Sequence, residues 1–404
     1  MTYSTTVGAE LELNLLDRQG YLANRADDVL ADLKRRSNRY VSESSMTQVE
    51  FNSEPASSIR ELYNRAKNQL SDVLEPVCLS HGVQPASMSE YGAGRGVWRD
   101  GNERYDVYPR IIGETSNSEL NRISGIHLHF SQHPDRKLDQ YKVLIALDPS
   151  FAFASTSPIY DLRNGLNCHR VNLTRNMLFS EFPLHCKLPG YPTSLKDIEA
   201  ENQLRHQQWM QKAIEAGIPE ETFKELFSPE NTGYHPIRKR DEEKFGPTGT
   251  FEVRIFDSAP LDILAGIAAL YKGFQDRVFN DQIPVTVANA DGRYSFSSSR
   301  IVLPTTDTLR GFERSAISRG LRSNGIQNYL DQALWFASRG LSEEDRKYLD
   351  VLNNSLSVSA NPAEELLSFM VEKGIYGKAF TPDQCAQANL FMRDRYLKGL
   401  LSTN

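Results

Sequence analysis

The sequence has few cysteines and no long apolar run. Its four cysteines, Cys78, Cys168, Cys186 and Cys385, are scattered over 404 residues without a CxxC pair. This spacing excludes a disulfide scaffold and is typical of a reducing compartment. No stretch reaches the roughly 20 apolar residues that a membrane-spanning helix requires. The first residues also lack a basic start followed by an apolar segment, so we expect a cytoplasmic protein without a membrane partner.

The chain has no excess of basic charge either. It carries 46 lysines and arginines against 52 aspartates and glutamates, a formal net charge of −6 at pH 7. This acidic balance argues against non-specific nucleic-acid binding, which depends on cationic side chains. The hydrophobic fraction of 39% and the charged fraction of 24% are ordinary for a globular protein and argue against bulk disorder.

Four segments alternate apolar and polar residues with a period of two, which predicts half-buried strands. They are residues 5–16, 47–51, 122–131 and 250–257. If the alternation in the last segment continues, Phe256 lies on its polar face.

Apolar residues at helical spacing predict helices at 25–35, 57–79, 137–155, 197–216 and 263–278, and a helical region after about residue 305. Within this region, Asn361-Pro362-Ala363-Glu364 has the residues of a capping box, and Thr381-Pro382 starts the last helix. Strands followed by helices predict an α+β fold. We expect residues 1–300 to form one catalytic domain and residues 301–404 a helical region packed on it.

The polar faces of the four strands carry glutamate, histidine and arginine instead of the usual threonine, lysine, serine and glutamine. These residues are Glu10 and Glu12 in the first strand, Glu50 in the second with Glu54 four residues later, His127 and His129 in the third, and Glu252 and Arg254 in the fourth. Singly, a Glu-x-Glu pair is usually solvated surface, a His-x-His pair can be structural, and a Glu-x-Arg pair is most often a salt bridge. All of these pairs occur on alternating strands of one chain, so dismissing the whole set would require every one of these ordinary explanations to hold independently.

If these strands adjoin, their carboxylates converge and repel one another unless they are protonated or neutralised by cations. Oxygen ligands with an occasional imidazole suit Mg²⁺ or Mn²⁺, and such ions usually also take substrate phosphates. An arginine beside them can bind a phosphate bidentately. The pattern therefore predicts metal-assisted phosphoryl chemistry with ATP.

The order of these motifs resembles the glutamine synthetase-like superfamily and, within it, the bacterial glutamate–cysteine ligase type 2 (carboxylate–amine ligase) family. The resemblance covers residues 5 to about 260. It rests on Gly8-Ala9-Glu10-Leu11-Glu12, Gln48-Val49-Glu50 with Glu54, Ser124-Gly125-Ile126-His127-Leu128-His129, Ala146-Leu147-Asp148-Pro149-Ser150-Phe151 and Thr250-Phe251-Glu252-Val253-Arg254.

The resemblance implies a curved antiparallel sheet whose concave face carries two or three Mg²⁺ or Mn²⁺ ions beside ATP. A carboxylate, with glutamate as the expected donor, attacks the γ-phosphate to give an acyl phosphate. An amino acid or amine, cysteine among the candidates, then displaces phosphate to form an amide, expected to be γ-glutamyl. The partners are thus small molecules, and the sequence leaves open whether the chain forms a homo-oligomer.

The family's functional residues carry over onto particular positions of this chain. The implied metal ligands are Glu10, Glu12, Glu50, His127, Glu252 and Glu54. Arg254 and His129 are implied as catalytic contacts to phosphate or substrate. The implied substrate contacts are Arg104 and Tyr105, Arg163 or Arg170 for an α-carboxylate, and Arg238.

The sequence also departs from the family. Tyr234-His235-Pro236-Ile237-Arg238 stands where a Trp-Asp-x-Arg segment is expected, which leaves the amine acceptor open. The loop at 92–98 is not a P-loop, because no GKS or GKT follows it, and it is either a lid or a solvent loop. Besides a ligase, a phosphotransferase of guanidino-kinase type, a metal-dependent hydrolase and a non-catalytic protein descended from a ligase stay open.

Overall fold

The computed structural model describes residues 3–89, 97–99, 101–157, 166–241, 248–289, 292–375 and 380–401. Arg163 and residues 92–96 of the 92–98 loop lie outside these ranges. Within them, no helix is both long and apolar enough to cross a membrane.

The main sheet has seven strands, and every neighbouring pair in it is antiparallel. Six of them follow the order β2-β3-β1-β5-β7-β6, and β4 pairs with the far end of β1. Their bounds are β1 Val7–Leu16, β2 Tyr40–Ser42, β3 Gln48–Asn52, β4 Gln84–Ala86, β5 Gly125–Ser131, β6 Ile237–Arg240 and β7 Thr250–Asp257.

A second sheet has three short strands in the order β8-β10-β9. They are β8 Val285–Val287, β9 Ser295–Phe296 and β10 Ile301–Leu303. This small sheet crosses the domain boundary that the sequence places near residue 300.

Helices flank the main sheet. In the first part of the chain they are α1 Ala26–Arg36, α2 Ile59–Asn68, α3 Glu75–Ser80, α4 Glu103–Ile112, α5 Glu114–Leu120, α6 Lys137–Ala146, α7 His169–Asn172, α8 Leu195–Glu215, α9 Glu220–Leu226 and α10 Leu261–Asn280. The later helices are α11 Thr306–Arg319, α12 Asn324–Ser338, α13 Glu343–Arg346, α14 Asp350–Ser357, α15 Pro362–Glu372 and α16 Pro382–Leu401. Two helices continue as π-helix, α2 through Gln69–Leu74 and α7 through Leu173–Leu178.

The hydrophobic core lies between the apolar face of the sheet and helix α10. In β1, Val7, Leu11 and Leu13 are buried on this face, as the alternating sequence predicts. Helix α10 packs against α2 and against α12, α14 and α16 from the C-terminal region. Residues before and after position 300 belong to one core cluster. The division into a catalytic domain and a helical region stays a prediction.

A bulge between β5 and β7 corrects the prediction for Phe256. Ile126 lies opposite Phe256, but Leu128 lies opposite Val253, so two residues of β7 face His127 alone. The extra residue reverses the alternation beyond it. Phe256 therefore turns into the core, where its ring meets Tyr271 edge-on at 5.7 Å.

Proline and capping residues explain where two predicted segments differ from the structure. The helix predicted over 137–155 ends at Ala146, and Asp148–Phe153 follows as a 3-10 helix because Pro149 has no N–H for an α-helical hydrogen bond. The Gly-, Ser- and Arg-rich composition of residues 87–104 predicts a loop, but helix α4 begins at Glu103, and Asn102 caps it by accepting from the backbone N–H of Arg104.

The core position of Leu128 yields a test of the fold. Its side chain is fully buried in β5, so Leu128→Ala leaves a cavity beneath the sheet. We expect the free energy of unfolding to fall by about 2–5 kcal/mol. Leu79→Ala is the matched control, because Leu79 is 60% exposed and its loss should change stability by less than about 0.5 kcal/mol. Urea unfolding curves measure both, and equal midpoints for the two variants would contradict this packing.

Candidate active site

Strand register brings the predicted residues onto one face of the main sheet. Strand β1 lies between β3 and β5, with Glu12 opposite Glu50 and Glu10 opposite His127. Residues directly opposite in an antiparallel pair have Cβ atoms about 4.5–5.5 Å apart. The expectation that these strands adjoin is therefore confirmed, and β7 follows β5 with Glu252 opposite His129.

Both histidines of β5 hydrogen-bond the carboxylate of Glu10. Nδ1 of His127 lies 2.6 Å from Oε2, and Nε2 of His129 lies 3.0 Å from Oε1. Burial by itself would raise the pKa of Glu10, but the hydrogen bonds and charges of the two histidines outweigh it and hold the pKa well below its usual value. Glu10 is thus kept as a carboxylate.

Glu252 is fully buried beside three arginines. It pairs with Arg254 and Arg240, and Nη1 of Arg238 lies 3.9 Å from its Oε2. Burial opposes ionisation, but the arginine charges prevail and hold the pKa of Glu252 well below its usual value. The reciprocal effect of Glu252 raises the pKa of Arg254, which stays a cation.

Glu50 and Glu43 form the opposite electrostatic environment. Burial first, and then the charges of Glu43 and Glu10, raise the pKa of Glu50 well above its usual value. Burial and the charge of Glu12 raise the pKa of Glu43 to about 7. No cation among the described residues forms an ion pair with either carboxylate. Carboxylates this close together resist losing their protons because their negative charges repel one another. A bound cation would neutralise that repulsion and favour the ionised form.

Two groups of side chains offer metal-ligand atoms within 4.8 Å of one another. One group is Glu10, His127 and Glu252, and the other is Glu12, Glu50 and His127. Carboxylate oxygens with one imidazole are a donor set that fits Mg²⁺ or Mn²⁺. The raised pKa of Glu50 agrees with this fit, because a bound cation would offset the burial and the like charges that raise it.

A cavity of about 270 Å³ opens over this face of the sheet. Its walls include Glu10, Glu12, Glu50, His127, Arg170 and Arg254 from the predicted set. They also include Glu43, Ser44, Gln48, Leu120, Ile123, Tyr234 and Arg240. A smaller pocket of about 30 Å³ adjoins it and shares Arg170, Tyr234 and Arg254 as lining residues.

The structure places Glu54 away from this cluster. Strand β3 ends at Asn52, so Glu54 no longer follows the strand's alternation. Its side chain is 48% exposed and pairs with Arg39 and Arg65, which line a different pocket. The prediction of Glu54 as a metal ligand is therefore corrected: the fold does not bring it to the other ligands.

The predicted substrate contacts separate into two groups. Arg170 lines the cavity, whereas Arg238 is not among the cavity walls and is instead buried with its Nη1 3.9 Å from Oε2 of Glu252. Arg104 instead donates to the carbonyl of Asn231 and lies over the ring of Phe227. The ring of Tyr105 packs edge-on against Trp98 at 5.5 Å, and burial followed by the charge of Glu43 raises its pKa to about 12. Arg104 and Tyr105 do not appear among the cavity walls.

Glu43, Arg240 and Tyr234 belong to the site but were missed from the sequence. Strand β2 has three residues and β6 has four, too few for a recognisable alternation. Glu43 directly follows β2, and Arg240 ends β6. The available signal was the Lys-Arg-rich segment after Pro236 and the acidic residue seven positions before Glu50.

The fold is similar to two solved structures. A bifunctional glutathione synthetase from Pasteurella multocida matches with a TM-score of 0.59 and 13% sequence identity, over 98% of this chain and 52% of the other. A glutamate–cysteine ligase from Francisella tularensis in complex with AMP matches with a TM-score of 0.52 and 13% identity, over 98% and 93%. This chain thus spans about half the length of the first protein. No curated protein sequence gave a significant match.

These likenesses show the fold, and the predicted α+β class is confirmed. The family follows from the sequence itself. Residues 6–294 match the family described as glutamate-cysteine ligase family 2. The match includes every strand of the main sheet and every side chain of the two ligand groups. The resemblance read from the motifs is therefore confirmed, and the chain belongs to glutamate-cysteine ligase family 2.

Proposed function

We propose that this protein is an ATP- and Mg²⁺-dependent ligase that joins a carboxylate to an amine through an acyl phosphate. Glutamate is the proposed donor through its γ-carboxylate, and an amino acid or amine, cysteine among the candidates, is the acceptor. The observation that carries the proposal is the pair of ligand groups around His127, on a sheet face that also carries Arg254. The family, and the AMP bound by the Francisella tularensis ligase, agree with it.

The ligand groups would hold Mg²⁺ or Mn²⁺ ions. Glu10, His127 and Glu252 form one candidate set, and Glu12, Glu50 and His127 form the other, with Glu43 beside it. When bound, two or three such ions would neutralise charge on the ATP phosphates and on the transferred group.

Arginines supply the cations that this chain itself contributes. Arg254 lines the cavity, and its pairing with Glu252 fixes the guanidinium in place. A fixed cation stabilises developing negative charge without reorganising during the reaction, so Arg254 is the proposed contact to the transferred phosphoryl group. Arg170 and Arg238 are the proposed contacts to the carboxylates of the substrates.

The proposed role of His129 is to orient the carboxylate of Glu10. His129 lies 3.0 Å from Glu10 and 3.1 Å from Oγ1 of Thr250, so both of its ring nitrogens have partners. These contacts orient the Glu10 carboxylate toward His127. The direct catalytic contact to phosphate that the resemblance implies for His129 stays a prediction.

The proposed reaction has two steps. A carboxylate oxygen of the donor attacks the γ-phosphorus of ATP, and ADP leaves. The amine nitrogen then attacks the acyl carbon and loses a proton, and phosphate leaves as the amide forms. The acyl phosphate must be shielded from water in between. Leu120 and Ile123 form the apolar part of the cavity wall that would do so.

Turnover with defined substrates tests this function. The protein is incubated with ATP, Mg²⁺, glutamate and a panel of amines and amino acids, and ADP, phosphate and the organic product are followed. We expect ADP and phosphate in equal amounts, together with an amide that mass spectrometry identifies. A stable phosphorylated product would show a phosphotransferase instead, and no nucleotide turnover with any acceptor would contradict the proposal.

The ligand groups are tested by replacing carboxylates with amides of the same shape. Glu12→Gln and Glu50→Gln each remove one carboxylate ligand from the acidic cluster. We expect turnover to fall at least on the order of 100-fold, because electrostatic stabilisation of the transferred group is weakened. The fold should persist, since losing one of several like charges relieves repulsion. Steady-state rates and thermal unfolding measure the two effects.

Glu54→Gln is the matched control, because Glu54 has the same side chain but lies outside the cluster. It should retain wild-type turnover, and a loss equal to that of Glu12→Gln would contradict the placement of Glu54. Glu252 is unsuitable for this test. Its removal would leave three neighbouring arginines without their shared carboxylate, so unfolding and loss of activity could not be separated.

A further inference from the structure

Arg170 is a buried cation whose position on the cavity wall needs an explanation. It is 7% exposed, and its Nε has no hydrogen-bond partner among the described residues. The guanidinium lies against the start of β5, where a Cβ at Gly125 would come within 2.5 Å of its Nη2. Side chains larger than glycine at position 125 would therefore displace the guanidinium.

Arg170 lies on a helix too short to fix its own position. Helix α7 and its π-helical continuation span only residues 169–178. Isolated helices of this length are marginal in water, so tertiary contacts must decide where this one lies. The structure provides contacts at both of its ends.

The first contact precedes the helix. The backbone N–H groups of Asn167 and Cys168 both donate to the carbonyl of Ile317, at 2.7 and 3.2 Å. The side-chain amide of Asn361 donates to Oδ1 of Asn167 at 2.8 Å and to the carbonyl of Ala152 at 2.7 Å. Asn361 is fully buried and also caps helix α15.

The second contact lies in the π-helical half. Arg175, five residues after Arg170, binds the two oxygens of Asp148 through Nη1 and Nη2 at 3.0 and 2.6 Å. Its Nη1 also pairs with Glu313 of helix α11 at 2.5 Å. The three side chains are almost entirely buried, so the helix cannot move without breaking this network.

Ile317, Asn361 and Glu313 all lie beyond residue 294, where the family match ends. We propose that the segment 306–364 is a brace that holds Arg170 at the cavity wall, with Glu313 and Asn361 as positioning residues for the carboxylate substrate that Arg170 binds. This inference rests on the proposed function. It assigns to part of the C-terminal region a role in substrate binding instead of folding alone.

Glu313→Gln tests the brace with little threat to the fold. The variant leaves the buried Arg175–Asp148 pair intact and electrically balanced. We expect the KM for the carboxylate substrate to rise between about 10- and 100-fold, because a small displacement of a positioning group is costly. The kcat and the KM for ATP should stay within twofold of wild type, since only uniform binding of one substrate is lost.

Further variants separate positioning from general destabilisation. Glu365→Gln is the matched control, because Glu365 also lies in the C-terminal region but pairs with Arg395 at the surface. In this control the KM for the carboxylate substrate should not change. Glu313→Asp keeps the charge and should recover at least part of the affinity. In an Arg170→Lys background, Glu313→Gln should raise the KM for the carboxylate substrate by less than a further twofold, because both changes act on the same contact. Full additivity of the two changes would overturn the inference.

Hydrogen exchange on the substrate-free full chain separates this inference from the proposed function. In Glu313→Gln, the backbone amides of residues 169–178 should exchange faster than in wild type, with no comparable change in β1 or β5. If wild type has no turnover, the proposed function fails and the exchange result still decides whether the brace exists. Unchanged hydrogen exchange in residues 169–178 overturns the inference. A lowered melting temperature without a change in this exchange or in KM would show general destabilisation only, and it also overturns the inference.

Discussion

The antiparallel register of β1 with β3 and β5 is the constraint on which the site depends. It sets Glu12 opposite Glu50 and Glu10 opposite His127, so acidic side chains from separate parts of the chain meet on one face. A slip of β1 by one residue would turn Glu10 and Glu12 into the core and expose its apolar residues on the face of the site. The buried apolar face of β1 therefore fixes the site as firmly as it fixes the fold.

The resulting face is electrostatically divided across the sheet. On the side of β2 and β3, burial and like charges raise the pKa values of Glu43 and Glu50. On the side of β6 and β7, arginines lower the pKa of Glu252 despite complete burial. The histidines of β5 lie between the two halves. One half suits cations and the other suits anionic groups, as the proposed reaction requires.

Much of this arrangement could be predicted from the sequence. The alternation of apolar and polar residues marked the long strands β1, β5 and β7. Because every second residue of a strand points to the same face, this alternation also predicted which side chains share a face. Five of the six ligands predicted from the motifs, Glu54 being the exception, lie in the two ligand groups of the structure. The prediction ended where strands became too short to alternate, at β2 and β6, and where a bulge broke the period, at Phe256.

The sequence by itself determined the α+β class and the acidic, imidazole and arginine side chains that one sheet face presents, because these follow from local periodicity and residue type. The family follows from the order of the motifs and from the match over residues 6–294. Only the tertiary structure decided which of those side chains meet. It excluded Glu54, which lies past the end of β3, and added Glu43 and Arg240 from the edge strands. It also set Glu313 against Arg175, 138 residues earlier in the chain. Contacts of this kind have no local pattern, since they arise only when distant segments pack around one core.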